Sequence, residues 1–456
     1  MNENVEMDQQ FEFLRRLLHE DKMAEFRDIF LDWHIYEQGQ FYFTLDEKER
    51  HRLYTYLSPK EIADMFDVIE EDHEDMEDYL AEMSPRYVAD MLNEMYTDNA
   101  VDLLNQLDKR EVAKYLSLMK SKDAIKIKEL LGYEDKTAGS IMATEYVSIV
   151  DNQTVRSALN LLKKKAQEAE IIYYVYVVSE TNRLLGVISL RDLIVAEDDM
   201  LISDVKEERV ISVNVADDQE DVAKTIRDYD FLAVPVVDSE GRLLGIITVD
   251  DIIDVIDDEA ASDYSGLAGV DVEAIAETPL KASLKRLPWL ITLLFLGMST
   301  ATLISHYEVL INEASILAVF ISLITGTAGN AGTQSLAVAV RRLAISDDKD
   351  PGFFKLILNE VLTGAITGSV TGVVIFAVVG FWKHNYILGF VIGVAMFCAI
   401  TVANLAGSFI PMLMEKLGFD PAVASGPFIT TLSDLTSVLI YFNIASLFMG
   451  FFTGTQ

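Results

Sequence analysis

One cysteine, Cys398, stands in a chain of 456 residues, and it lies inside an apolar run. No disulfide framework can form, so the expected compartment is reducing. Basic residues are scarce: 37 Lys and Arg stand against 73 Asp and Glu, a formal net charge of −36. An excess of that sign argues against nucleic acid as a partner. The opening stretch MNENVEMDQQFEFLRR has no short apolar core behind a basic start, so no secretory signal is expected there. The sequence also lacks a P-loop, a nucleophile–base set and a metal-binding His motif, and nothing in it supports an enzyme.

The charge is unevenly placed. After Leu280 nine basic and nine acidic residues cancel, which leaves 28 basic and 64 acidic residues before it. The chain therefore divides into an acidic soluble half and a neutral, apolar half. Five apolar stretches follow Pro288, at 288–305, 314–340, 353–382, 386–412 and 425–451, each about long enough to span a bilayer as a helix. With the acidic half in the cytoplasm, Lys281, Lys285, Arg286, Arg341, Arg342, Lys349, Lys355 and Lys416 fall inside and only Lys383 outside. Loop charge thus orients the N-terminus to the cytoplasm and the C-terminus outside. Gly364, Gly368 and Gly372, then Gly389 and Gly393, have the spacing of close helix packing.

What the spans lack is a central Lys or Arg, yet the fifth carries Asp434 at its middle. A carboxylate at membrane depth costs at least a few kcal/mol unless compensated. Thr430, Asp434, Ser437 and Tyr441 share one helical face. Thr327, Asn330 and Gln334 do so in the second span, Glu360, Thr363, Thr367 and Thr371 in the third, and Thr401, Asn404 and Ser408 in the fourth. Singly, such groups hydrogen-bond helices together. For Asp434, without a basic partner, a water-filled path or a bound cation is the better explanation. Oxygen and amide donors without thiolate or clustered His suit a hard cation such as Mg²⁺ or Ca²⁺. The candidate pore ligands are Asp434, Thr430 and Asn330, and the candidate lining residues are Gln334, Thr327, Asn404 and Ser437. In a two-fold dimer Asp434 becomes a pair facing one axis. GTAGNAGTQS (326–335) follows no strand and fits no phosphate-binding pattern, and it is expected to be a small-residue, irregular part of the second span.

The soluble half repeats itself at an offset of 59: NRLLGVISLRDLI (182–194) returns as GRLLGIITVDDII (241–253), and YYVYVV (173–178) as LAVPVV (232–237). Each unit reads strand, helix, strand, strand, helix. This resembles the tandem cystathionine-β-synthase (CBS) module, with Gly186, Ser189 and Asp192 matched by Gly245, Thr248 and Asp251. In that family the Asp contacts a nucleotide ribose, which makes Asp192 and Asp251 candidate nucleotide ligands. Residues 1–135 are helical by period, and SPKEIADM (58–65) returns as SPRYVADM (84–91). Ser-Pro starts a helix well, and acidic short helices in repeat predict a small superhelix. Acids gather at Asp217, Asp218, Glu220, Asp221 and again from Asp250 to Asp263. Such like charge resists compaction unless cations relieve it.

The resulting architecture is an acidic all-α N-domain (1–135), a tandem α/β CBS pair (136–256), a linker or plug helix (257–287) and a five-helix transmembrane domain (288–456). In that order the chain resembles the MgtE family of Mg²⁺ channels and transporters. The matching stretches are GTAGNAGTQS, DPAVASGPFITTLSDLTSVLIYF (420–442) and TVDDIIDVIDDEA (248–260). Ala328 departs from a position where the family favours Gly. The resemblance implies a homodimer in the bacterial inner membrane, with Asp434 as the pore carboxylate. It also implies closure by cytosolic Mg²⁺ bound among the N-domain, the CBS pair and the linker. The ligands it suggests are Asp218, Glu220, Asp251, Asp254, Glu259 and Asp263, with Glu94 and Asp98 in the N-domain. Ser262 stands where an acid can occur. Mg²⁺ is then both cargo and regulator, and ATP is a candidate ligand of the CBS pair. The alternatives are a coupled divalent-cation exchanger using Asp434 and a CBS-regulated, membrane-anchored signalling protein.

Overall fold

Ser58 and Ser84 behave as the repeat predicts. Each caps a helix that has Pro at its first turn, Pro59–Phe66 and Pro85–Leu92, by accepting a backbone N–H three residues on. Glu61 closes the first cap reciprocally. Ten short helices run from Asn2–His19 to Ser121–Leu130 in the computed structural model, which describes residues 2–68, 76–270, 278–345, 353–417, 421 and 426–453. Their apolar faces meet in a core that begins with stacked and tilted aromatics (Phe26, Phe30, Phe41) and passes through Val88, Met91 and Leu104. The same core continues through Val222, Val234 and Ile247, so the helical domain and the second CBS unit share one interior. The chain divides into two units, Met1–Ile256 and Asp257–Gln456.

Within the first unit, the CBS pair is two three-stranded sheets of like topology. The strands are β1 (Ser148–Val150), β2 (Tyr174–Val178), β3 (Leu184–Ser189), β4 (Val213–Asn214), β5 (Ala233–Val237) and β6 (Leu243–Thr248). β1 runs parallel to β2 and β2 antiparallel to β3, and β4, β5 and β6 repeat the pattern. The repeats join through a reciprocal pair of bonds. Leu184 donates its N–H to the Gly241 carbonyl, and Leu243 donates to that of Asn182, both at 2.9 Å. Asn182 and Gly241, equivalent in the repeat, both take the left-handed conformation, at φ 61° and 76°.

Among the described residues, the second unit contains five helices long and apolar enough to cross a membrane: Pro279–His306, Ser315–Leu343, Phe353–Trp382, Tyr386–Lys416 and Gly426–Leu447. The first begins upstream of Pro288, which lies inside it. The stretch 326–335 is not irregular, contrary to expectation: it lies within one continuous helix, Ile321–Ile345. Its glycines serve close packing instead. A Cβ at Gly407 would sit 2.2 Å from the Gly332 carbonyl oxygen, so the second and fourth spans meet backbone to backbone. The third and fourth spans do the same, since a Cβ on Gly372 or on Gly393 would lie 2.7 Å from the other's carbonyl oxygen. That is the physical content of the small-residue spacing. The helix Val249–Ala268 starts directly at the end of β6, and near its far end Leu267 packs against the cluster of Leu336, Val340 and Ile429. Of the linker or plug helix expected over 257–287, residues 271–277 lie outside the described ones.

Candidate metal centre and pore face

Asp98 is placed by the start of the helix Thr97–Asn105 and is 4% exposed. One of its oxygens accepts the Asn99 N–H at 2.9 Å. Asp251 sits in the first turn of Val249–Ala268, where Thr248 donates to it from both its N–H, at 3.0 Å, and its hydroxyl. Glu170 lies in the lead-in to β2, held by a 2.9 Å bond from its own N–H to the Glu145 carbonyl. Its Oε2 is buried without a hydrogen-bond partner among the described residues. Each of the three offers a carboxylate oxygen within 4.8 Å of the other two.

Three carboxylates cannot share such a space as free anions without cost. Burial, and then the charges of Asp98 and Asp251, push Glu170 up to about 10. Burial, and then the charge of Asp251, hold Asp98 well above the usual carboxylate range. Both shifts measure an unmet demand for positive charge. Hard oxygen donors, one of them unpartnered, match the needs of a divalent cation such as Mg²⁺ or Ca²⁺.

The remaining sensor candidates are arranged differently. Glu94 is exposed and pairs with Lys120 at 3.4 Å. Asp218 caps the helix Gln219–Tyr229 by accepting the Glu220 N–H, and Glu220 pairs with Lys224 at 3.2 Å. Asp254, Glu259 and Asp263 follow Asp251 along its helix, outside this triad. Asp192 accepts the Ser189 hydroxyl at 2.6 Å, the counterpart of Asp251 with Thr248. Glu170 was not visible to sequence reasoning. It stands with Glu168 outside the acidic runs, and the repeat places Tyr229 at its equivalent position.

In the membrane half, Asp434 is half-buried and makes no hydrogen bond or ion pair among the described residues. Thr430, one turn earlier, bonds back to the Gly426 carbonyl, and a Cβ on Gly329 would lie 3.1 Å from its methyl. Next along the second span, Asn330 and Gln334 are exposed and Thr327 is half-buried. Thus Thr327, Asn330, Thr430 and Asp434 belong to two helices in contact and remain accessible in the single chain. Asn404 and Ser437 do not share that accessibility: they are 6% and 0% exposed. The Asn404 carbonyl accepts the Ser335 hydroxyl at 2.8 Å, and Tyr441 donates to the Leu317 carbonyl at 2.9 Å. The Ser437 hydroxyl is buried without a hydrogen-bond partner among the described residues.

Over 452 residues the chain is 75% identical to the magnesium transporter MgtE of Enterococcus faecalis, covering 99% of this chain and all of that one. The chain belongs to the MgtE family. The family model described as a divalent cation transporter matches residues 321–444, the MgtE intracellular N domain matches 33–136, and CBS domains match 138–199 and 202–258. Two solved structures resemble the soluble half. The soluble part of a magnesium transporter is 70% identical, with a TM-score of 0.55, covering 56% of this chain and all of that one. The cytosolic domain of the Mg²⁺ channel MgtE in complex with ATP is 34% identical, with a TM-score of 0.50, covering 53% of this chain and 98% of that one. In family terms the triad lies at residues of the N domain and the CBS pair, and Asp434 lies within the transporter match.

Proposed function

We propose that this MgtE-family protein carries Mg²⁺ across a bacterial inner membrane as a homodimer, passing it by Asp434, and that Asp98, Glu170 and Asp251 report cytosolic Mg²⁺. The observation that carries the transport reading is Asp434, a carboxylate in an apolar helix with no partner among the described residues, beside an accessible polar face. An anchor helix needs neither feature. Lys and Arg placement supports a cytoplasmic N-terminus and an outside C-terminus.

Mg²⁺ gives up its water reluctantly, so a path for it needs few direct ligands and several groups that hold hydration water. Asp434 supplies charge. Thr430, Asn330, Thr327 and Gln334 supply dipoles along two adjoining helices, and a second chain would double the set about a two-fold axis.

The sensor works by linkage. Asp98, Glu170 and Asp251 would hold a divalent cation, whose charge offsets their mutual repulsion. Without it, the three favour separation of the helical domain from the CBS pair. With it, they favour compaction, and the population shifts accordingly. Asp251 and Leu267 lie on the same helix, Val249–Ala268, so the response at its start has a mechanical route to the residues packed at its end. The CBS pair is also proposed to bind ATP, since the structurally similar MgtE cytosolic domain was solved with it. Asp192 and Asp251 are the candidate contacts.

Patch-clamp recording of the D434A variant tests the reading. Mg²⁺ current is expected to vanish, and an undiminished current overturns the pore assignment. A proton or sodium gradient that alters Mg²⁺ flux in wild-type proteoliposomes would favour the coupled exchanger instead.

A further inference from the structure

Two of the three sensor carboxylates depend on a single residue outside the triad. Glu145 lies between the short bridge strand at Ala143 and β1, on the segment that enters the CBS pair. Its Oε2 accepts three donors: the Thr97 N–H at 3.2 Å, the Thr97 hydroxyl at 2.8 Å and the Thr144 N–H at 3.1 Å. Its Oε1 accepts the Thr144 hydroxyl at 3.0 Å and Lys126 Nζ at 3.4 Å. Thr97 is the residue before Asp98, is buried, and opens the helix that carries it. The backbone carbonyl of Glu145 takes the N–H of Glu170 at 2.9 Å. One residue thus fixes Asp98 through its side chain and Glu170 through its main chain.

The side chain is engaged to capacity. Five donors fall on two oxygens, which leaves no lone pair directed at a cation. Its negative charge also raises the cost of ionising Asp98. A carboxylate that opposes its neighbour's charge, and binds no ion itself, is retained for geometry. Lys126 offsets that charge from the helical domain, and it also donates to the Thr144 hydroxyl at 3.1 Å. The cluster therefore ties two helices of the N-domain, Thr97–Asn105 and Ser121–Leu130, to the CBS segment.

We propose that Glu145 is the positioning residue of the cation sensor, setting the spacing of Asp98 and Glu170 without ligating the ion; this rests on the sensor reading above. The test uses the full chain in detergent. It measures the Mg²⁺ concentration that gives half-maximal protection from trypsin, together with the unfolding temperature in EDTA. E145A is expected to raise the protection midpoint about tenfold. E145Q, which keeps an acceptor for Thr97, is expected to recover most of the loss. In a D98N background E145A is expected to add nothing, because the geometry it sets has lost its ligand. An unchanged midpoint in E145A overturns the proposal, as does a double-variant shift equal to the product of the single shifts. If E145A fails to fold, T97V removes the hydroxyl that donates to Glu145 and accepts the Thr144 N–H, and it leaves the Glu145 carboxylate in place. It is expected to raise the midpoint about threefold, and no rise overturns the proposal. An unchanged midpoint in D98N itself overturns the sensor site, and the role of Glu145 with it.

Discussion

Asp434 and the Asp98–Glu170–Asp251 triad solve opposite problems with the same functional group. In the membrane half one half-buried carboxylate stands without a partner among the described residues, on an accessible face. In the soluble half three carboxylates crowd within 4.8 Å, two of them driven towards protonation by burial and then by neighbouring carboxylates. A lone carboxylate attracts a cation without gripping it, which passage requires. A cluster with protein ligands on several elements would hold its ion until the elements part, which sensing would require. The difference teaches that ligand number and burial, rather than ligand chemistry, separate a path from a gauge.

The strongest way to break that comparison is to remove the lone charge. D434N is expected to cut Mg²⁺ flux into proteoliposomes by at least about a hundredfold, because a neutral amide offers no charge to offset the ion's lost hydration. D251N acts on the other side. It is expected to raise the cytosolic Mg²⁺ needed to halve the current by about tenfold or more, read in excised patches. The amide can still accept from Thr248 at the helix start, so helix capping survives and the ligand charge alone is lost. If D251N instead abolished current and D434N only shifted inhibition, the two roles would be reversed.

A pH titration sharpens the contrast without mutation. Glu170 is raised in the folded state, to about 10 from an ordinary 4.5. A carboxyl raised on folding contributes stability that is complete below its unfolded value and is lost as pH rises towards its folded one. The metal-free soluble fragment, residues 1–269, is therefore expected to lose stability between pH 5 and pH 9, by about 1.4 kcal/mol per pH unit for each proton so held. Mg²⁺ should flatten the slope, as should E170Q. Urea unfolding with and without EDTA measures it, and a flat profile without metal would show that the triad ionises freely.

Much of the fold was legible because its signals are periodic. Apolar runs mark the spans, the offset of 59 residues marks the CBS repeats, and Ser-Pro marks two helix starts. GTAGNAGTQS misled for a physical reason. Its glycines were read as a broken backbone, but Gly329 and Gly332 face Thr430 and Ser433, where any Cβ would lie about 3 Å from a neighbour, at 3.1 and 3.0 Å. Glycine there buys proximity between helices that stay regular. The acidic run and the resemblance both point to Asp251, the resemblance alone to Asp98, and neither pairs the two. The third member was hidden, since Glu170 stands outside the acidic runs, and the Glu145 carbonyl anchors its lead-in to β2.

The helix contacts come next in size. G368A would put a Cβ 2.8 Å from the Phe397 carbonyl oxygen, on backbone that cannot turn aside. Overpacking of this kind costs about 1–3 kcal/mol. Thermal unfolding of the detergent-purified chain is expected to show the loss, while the Mg²⁺ midpoint of trypsin protection stays within about twofold.

The smallest expected effect belongs to Glu94, one turn of chain before Asp98 and outside the triad. Its side chain is 40% exposed and its partner Lys120, at 3.4 Å, is 60% exposed. An ion pair so open to water contributes about 0–1 kcal/mol, and an acid so placed has no desolvated partner to share a cation with. E94Q is therefore expected to move the protection midpoint by less than about twofold, against roughly tenfold for D98N four residues later. Charge alone does not separate the two, since both are single acids of one N-domain stretch. Burial does. An E94Q shift as large as that of D98N would mean that the acidic surface senses Mg²⁺ as a diffuse whole, and the contrast between a gripping cluster and a solitary pore carboxylate would lose its physical basis.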